Sequence, residues 1–180
     1  MLTLALCLRP AAAQSPEVPI RLQVALLARA VEYDRSFPAR ARERVAILIV
    51  VRANDPDSVR VGEQIRLELG ALDSIAGLPH TERVLGYGSA AELASQLVKA
   101  PPAILYLSTG LGEEVGAIAT LLEGISILSV AVSARYVPQR AVLGFDAESG
   151  RPQLLVHLEQ ARRQRVAFRP EFLRMVKVVQ

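Results

Sequence analysis

Apolar residues in this chain fall into short continuous runs that alternate with longer amphipathic segments. The run Val45–Val51 is rich in β-branched side chains, which is typical of a strand buried on both faces. Val18–Asp34 confines its most polar residues to one narrow stripe at helical spacing, so it predicts a helix with a wide apolar face. The alternation then continues, with predicted strands at Arg83–Gly86, Ala103–Leu107 and Ile125–Val132 and predicted helices after Asn54-Asp55-Pro56, from Ser89 to Val98 and from Gly112 to Glu123. This order predicts a mostly parallel sheet with helices on both faces.

The C-terminal part departs from this alternation. Two apolar segments, Ala141–Phe145 and Gln153–Leu158, flank a loop that ends in Gly150, which predicts an antiparallel hairpin. Two short helices should close the chain, the second beginning at Pro170. Its expected apolar face consists of Phe168, Phe172, Leu173, Val176 and Val179. We therefore expect an α/β fold: a single three-layer domain whose mostly parallel sheet has a C-terminal antiparallel hairpin edge.

The first residues differ from the rest of the chain. Leu2–Leu8 is a short apolar stretch, and Ala11–Ala13 offers the small residues that precede a signal-peptide cleavage site, although no Lys or Arg stands ahead of the stretch. We expect residues 1–13 to be a signal peptide and residues 14–180 to form one exported domain. Cleavage would remove Cys7, the only cysteine, so no disulfide could form afterwards. No apolar run approaches the roughly 20 residues of a membrane-spanning helix.

Composition and charge narrow the function. Hydrophobic residues make up 51% of the chain, which is enough for a full core, and the formal net charge is +3. The basic residues are interspersed with acids and are not interleaved with aromatic residues, so nucleic acid is not an expected partner. Two arginine clusters stand out. The first, Arg35, Arg40, Arg42 and Arg44, is interpreted as a solvated face. In the second, Arg162, Arg163 and Arg165 cannot all face the core, and they are the candidate rim of a partner-binding surface.

The candidate ligand site lies just past the third predicted strand. Ser108, Thr109 and Gly110 follow the carboxyl end of that strand, where open α/β sheets place their ligands. Their hydroxyls could bind a small polar ligand or could cap the following helix. The glycines from Gly110 to Gly116 do not have the spacing of a dinucleotide fingerprint, and Glu113 and Glu114 would repel a pyrophosphate.

The residues needed for catalysis are sparse. His80 and His157 are the only histidines, no serine sits in a nucleophile elbow, and no cluster has the spacing of a metal site. We therefore predict no catalytic residues, no metal and no cofactor. A binding protein is the expected class, and an enzyme is not.

The order of several motifs resembles the YfiR-like family. These motifs are Ile104–Ser108, Ile127–Val130, Val142–Phe145, Val156–Ala161 and Val166–Val179. The N-terminal helix followed by Val45–Val51 also fits, so the resemblance covers nearly the whole predicted mature chain. His157 stands where the family has Asn, and Arg169-Pro170 replaces a Ser pair. Many family members carry cysteine pairs that this chain lacks.

The resemblance implies a periplasmic regulator that binds and restrains an inner-membrane signalling enzyme, such as a diguanylate cyclase of cyclic-di-GMP signalling or a histidine kinase. A signal would release the partner by shifting this binding equilibrium. The alternative is a periplasmic small-molecule-binding domain of the solute-receptor type that uses the crevice at Ser108 and Thr109. The sequence leaves a homodimer open.

Overall fold

The computed structural model describes residues 18–148 and 150–180, and within them the chain forms one seven-stranded sheet with helices packed on it. The predicted signal peptide and Cys7 lie outside these residues. The strands are β1 (Val45–Arg52), β2 (His80–Tyr87), β3 (Ile104–Leu107), β4 (Leu128–Ala131), β5 (Leu143–Glu148), β6 (Arg151–His157) and β7 (Lys177–Val179). The helices are α1 (Ile20–Ala30), α2 (Phe37–Ala41), α3 (Pro56–Gly70), α4 (Ala90–Lys99), α5 (Val115–Leu121), α6 (Leu158–Arg163) and α7 (Pro170–Leu173).

The strands are ordered β2-β1-β3-β4-β5-β6-β7 across the sheet. All neighbouring strands are parallel except β5 and β6, which form the predicted antiparallel hairpin. The first five strands therefore have the doubly wound order 2-1-3-4-5, in which the chain reverses direction across the sheet after β2. This arrangement confirms the predicted α/β class.

Strand β1 shows how the sequence builds two cores. Val45, Ile47, Ile49 and Val51 face one core, whereas Leu48 and Val50 face the other, because successive side chains of a strand point to opposite faces. Helices α1 and α3 cover the first face and α4 and α5 cover the second. A continuous apolar run is thus needed at β1, and the sequence provides it.

The helix starts follow local chemistry that the sequence already displays. The Asp55 side chain accepts hydrogen bonds from Asp57 N and Ser58 N at the start of α3, and Ser89 accepts one from Glu92 N at the start of α4. Gly62 lies where α3 approaches β1 so closely that a Cβ atom would stand 2.3 Å from Cγ1 of Val51. The absence of a Cβ at this position therefore allows α3 to pack closely against the sheet.

The closing segment differs from the prediction of one amphipathic helix. Helix α7 ends at Leu173, and Lys177–Val179 form β7, which pairs in parallel with β6. Phe172 is buried as expected, but Val178 is 41% exposed. Strand β5 pairs with one edge of β6 and leaves the backbone N–H and C=O groups of the other edge without partners. Strand β7 pairs with these groups, which a longer α7 would not do. Among the described residues, no helix is long and apolar enough to cross a membrane.

Candidate functional site

The predicted ligand residues lie at the point where the strand order reverses. Ser108, Thr109 and Gly110 follow the carboxyl end of β3, which pairs with β1 at the centre of the sheet. The loop after β1 reaches the same edge because the two strands are parallel. This is the position at which doubly wound sheets form a ligand crevice.

The serine hydroxyls at this crevice are used to join the surrounding elements. Ser108 is fully buried, and its Oγ donates a hydrogen bond to the carbonyl of Ser58, 2.8 Å away. Ser58 Oγ donates in turn to the carbonyl of Thr109 at 2.6 Å and accepts from the backbone N–H of Arg52 at 2.9 Å. The two serines therefore tie β1, β3 and α3 together.

An ion pair spans the crevice. Arg52, the last residue of β1, donates from one terminal nitrogen to both carboxylate oxygens of Glu114, at 2.6 and 2.8 Å, and its Nε donates to the carbonyl of Gly110. Burial raises the pKa of Tyr87, and the negative charge of Glu114 adds to that effect. Neither Arg52 nor its pairing with Glu114 was predicted from the sequence, although a charged residue at the end of a buried strand is a signal for such a pair.

The Gly110 position cannot accept another residue without a local rearrangement. Its φ of +79° lies in the left-handed region, and an added Cβ would stand 2.4 Å from Oδ2 of Asp55. Tyr136 completes the crevice by accepting a hydrogen bond on its hydroxyl oxygen from the N–H of Leu111, at 2.9 Å.

At the crevice, the hydroxyl of Thr109 is the group that remains for hydrogen bonding to a ligand. Its Oγ1 is buried and has no hydrogen-bond partner among the residues that the structure describes. A ligand that binds here must use this hydroxyl or displace the Arg52–Glu114 pair. The structure thus brings the three predicted residues together at a small crevice that is already cross-linked by the protein.

The three predicted partner-binding arginines lie near the other end of the strands, beside the start of β5. Strand β6 runs antiparallel to β5 and ends beside its start, where the N–H of His157 donates to the carbonyl of Val142 at 2.9 Å. Helix α6 follows directly and carries Arg162 and Arg163, and Arg165 lies two residues beyond its end. All three are exposed, and we call them the arginine ridge.

The arginines of the ridge are not equivalent. Arg163 binds Glu123 at 3.0 Å and Glu159 at 2.5 Å. Hydrogen bonding to Glu159 raises the pKa of Arg163, and the same contact lowers the pKa of Glu159. Arg162 and Arg165 are exposed and make no ion pair with an acidic residue in the described ranges. The free positive charge of the ridge is therefore carried by Arg162 and Arg165, whereas Arg163 fastens α6 to the end of α5.

The ridge stands on a rigid base. Gln164, between the exposed arginines, is fully buried, and its Oε1 accepts a hydrogen bond from the N–H of Ser129 at 3.2 Å. Gln160 donates to the carbonyl of Ala119 at 2.9 Å from one turn earlier. The buried amides of Gln160 in α6 and of Gln164 just after it thus anchor the backbone that carries the arginines.

The two histidines are occupied by structural contacts. His80 lies between Glu82 and the carbonyl of Leu72, which is 2.9 Å from its Nε2. His157 is buried and accepts a hydrogen bond on Nδ1 from the N–H of Gln160. Within residues 18–148 and 150–180, no group of three or more His, Cys, Asp or Glu side chains could hold a metal ion.

Fold and site together define an α/β protein with a 2-1-3-4-5 core sheet, a cross-linked crevice at its switch point and a ridge of exposed arginines near the other end of the strands. The sequence matches the YfiR/HmsC-like family over residues 21–177, and the chain belongs to that family. The expected resemblance is thereby confirmed. No curated protein sequence matches this chain.

Solved structures share the fold at low sequence identity. A conserved domain protein from Vibrio cholerae O1 biovar eltor aligns with a TM-score of 0.61 and 12% identity, over 90% of this chain and 60% of that one. An ABC domain from Streptococcus pneumonia, solved in complex with L-Trp, aligns with a TM-score of 0.62 and 9% identity, over 89% of this chain and 62% of that one. This chain therefore spans about three-fifths of the length of either structure.

Proposed function

We propose that this chain is an exported, non-enzymatic regulator that binds an inner-membrane signalling enzyme, a diguanylate cyclase or a histidine kinase, and holds it in an inactive state. Membership of the YfiR/HmsC-like family over residues 21–177 is the observation that carries the proposal. The periplasmic location follows from the same resemblance and from the apolar segment and small residues before Gln14.

The arginine ridge is the surface that we assign to this partner. Arg162 and Arg165 present guanidinium groups that have no acidic partner among the described residues, from a segment that Gln160 and Gln164 anchor. Such an anchored backbone suits binding of an acidic patch on the partner, because little backbone freedom is lost on binding. Charges at the rim of an interface mainly set the association rate and the partner choice.

The test is a double charge reversal of the ridge, Arg162→Glu with Arg165→Glu, followed by a pulldown of the partner from an envelope extract. We expect partner binding to fall by about tenfold at low salt and by less at high salt, because screening weakens exposed charge pairs. The matched control is Arg42→Glu with Arg44→Glu. It makes the same change in net charge on another exposed cluster, and Arg42 has a φ of 55°, close to the 53° of Arg165.

Three outcomes discriminate among the explanations. Loss of binding in the ridge variant alone, with an unchanged melting temperature, supports the assignment. Equal loss in both double variants indicates a response to net charge only. If the wild-type protein captures a partner and the ridge variant captures it equally well, the interface lies elsewhere.

A second candidate function, binding of a small polar molecule, is favoured by the crevice at Ser108 and Thr109. The unpaired Oγ1 of Thr109 lies at the switch point of the sheet, and a structure with this fold has been solved with L-Trp. A thermal-shift screen of amino acids and small anions tests this function. A hit must raise the melting temperature of the wild-type protein and lose that effect in Thr109→Val, a variant of similar shape without the hydroxyl. Stabilisation that persists in Thr109→Val would place the ligand at another site.

A further inference from the structure

A cleft of about 560 Å³ opens on the α1 face of the sheet, away from both the switch-point crevice and the arginine ridge. Its walls are α1, the β5–β6 hairpin and the segment that follows α7. None of the residues of the crevice or of the ridge lines it. Its volume lies within the roughly 300–1,000 Å³ that small-molecule sites commonly have.

The floor of the cleft is apolar and largely aromatic. The rings of Tyr33 and Phe172 stack with their centroids 5.4 Å apart, and Phe172 packs in turn on Phe168. Phe172 is only 4% exposed, so it anchors this floor in the main core. Met175, at the edge of the cleft, is 62% exposed. A rigid aromatic floor beside an exposed, flexible methionine suits an apolar body that is covered on binding.

The rim of the cleft carries positive charge that the protein does not neutralise. Arg29 on α1 and Arg151 on β6 both line the cleft and are exposed, and neither pairs with an acidic side chain in the part of the chain that the structure describes. The acid of the cleft, Glu148, is the cross-strand neighbour of Arg151, and the exposed Nζ of Lys177, 4.0 Å from its carboxylate, offsets part of its charge. The cleft therefore keeps two guanidinium groups available for an anion.

A third polar group lines the cleft. The side chain of Gln153, from β6, also lines the cleft, and its Oε1 is buried without a hydrogen-bond partner among the described residues. An oxygen only accepts, so this atom would take a donor group of a ligand, whereas only the Nε2 of the same amide could donate to an anionic head group. Guanidinium groups bind carboxylates and related oxyanions in preference to neutral groups because their planar N–H donors match the acceptor geometry.

We propose that this cleft is a binding site for a small amphiphilic anion, whose apolar body lies on the Tyr33–Phe172 floor and whose acidic group lies between Arg29 and Arg151. Neither the apolar floor nor the arginine pair alone defines this ligand class. The floor selects the body and the arginines select the charge. The proposal stands independently of the partner-binding function.

The experiment compares three probes with the same body and different charge: 4-phenylbutyrate, 4-phenylbutyramide and 4-phenylbutylamine. Isothermal titration calorimetry with the full chain should show binding of the carboxylate and at least about tenfold weaker binding of the amide, since a charge-assisted hydrogen bond is lost. The amine should not bind. Inorganic phosphate, an anion without an apolar body, should bind weakly or not at all.

Variants locate the site. Arg29→Gln and Arg151→Gln should each weaken the binding of 4-phenylbutyrate by about tenfold. Met175→Glu should abolish this binding, because it places a negative charge at the cleft edge. The control is Val98→Glu, which introduces the same charge at an exposed apolar residue of α4 that does not line the cleft. These four positions are exposed, so the variants should fold.

The proposal is overturned if the three probes bind equally, since the cleft would then be only an apolar groove. It is also overturned if phosphate binds as well as the carboxylate, if no probe binds, or if the Arg variants bind like the wild type. Sedimentation of wild type and Met175→Glu checks a second copy as the occupant. A dimer that dissociates only in Met175→Glu would assign the cleft to self-association instead.

Discussion

Asp34 and Arg40 form an ion pair that is almost completely removed from solvent, with side chains 0% and 2% exposed. Asp34 also accepts hydrogen bonds from the N–H groups of Ser36 and Ala167, at 3.0 and 3.1 Å. The carboxylate therefore links the end of the first helix to the loop after α6. The guanidinium of Arg40 packs over the ring of Phe37, 5.7 Å from its centroid.

Asp34→Asn should destabilise the protein by about 3–5 kcal/mol, because it leaves the Arg40 charge buried without a counter-charge. The measurement is the free energy of unfolding in urea. Asp57→Asn removes the carboxylate of an exposed pair with Arg60 and should cost less than about 1 kcal/mol. If the two variants are equally stable, the buried pair does not contribute as described.

The buried pairing of Arg40 with Asp34 was not predicted from the sequence. Arg35, Arg40, Arg42 and Arg44 were interpreted together as a solvated face, and this is wrong for Arg40. The positions of charged residues along the chain do not show that Arg40 pairs with a buried acid six residues earlier while the neighbouring arginines stay exposed. The pairing depends on how α2 folds back, which is a tertiary contact. The Arg52–Glu114 pair was missed for the same reason, since its partners are far apart in sequence.

At the scale of elements, α6 depends on a histidine that caps its start. The Nδ1 atom of His157 accepts the hydrogen bond from the N–H of Gln160, so the ring must remain neutral to keep this contact. Burial lowers the pKa of His157 below its ordinary value of 6.5. Protonation would remove the acceptor and loosen the helix that carries Arg162 and Arg163 of the arginine ridge.

The pH dependence follows from the direction of this shift. Below pH 6.5 the unfolded chain binds the proton more readily than the folded protein, so the stability contributed by His157 is fully present above that value. It is lost as the pH falls through the lower pKa of the folded state. Urea unfolding at several pH values should show this loss in the wild type and a smaller loss in His157→Asn, because Asn caps a helix without titrating. Identical pH profiles for the two proteins would contradict the role of His157.

Element prediction succeeded where hydrophobic periodicity and caps agree, and it weakened at the chain's end. The capped starts of α3 and α4 and the buried run of β1 were each visible in the sequence. The closing segment was predicted as a single helix, yet β7 forms there because an edge of β6 is available for pairing. Three residues that are mostly exposed carry no periodic signal that separates a short strand from a helix end.

At the scale of the whole molecule, the alternation of strands and helices was sufficient to predict the α/β class, and the glycine loop between two apolar segments was sufficient to predict the hairpin. The sequence did not reveal the strand order 2-1-3-4-5, because the order depends on which side each crossover takes. The cleft between α1 and the hairpin was likewise not predictable. Arg29 and Arg151 meet there only through the folded sheet, and each alone resembles an ordinary surface arginine.

The position of β1 between β2 and β3 has a consequence for hydrogen exchange. This strand is paired on both sides, by β2 and β3, and its residues from Ile47 to Val51 are all buried. Successive amides of β1 point alternately to the edge strand β2 and to β3, so those directed to β3 should exchange with deuterium only when the whole molecule unfolds. Their exchange rate therefore reports the free energy of global unfolding. It can be read by mass spectrometry without denaturant, while a partner or a ligand is bound.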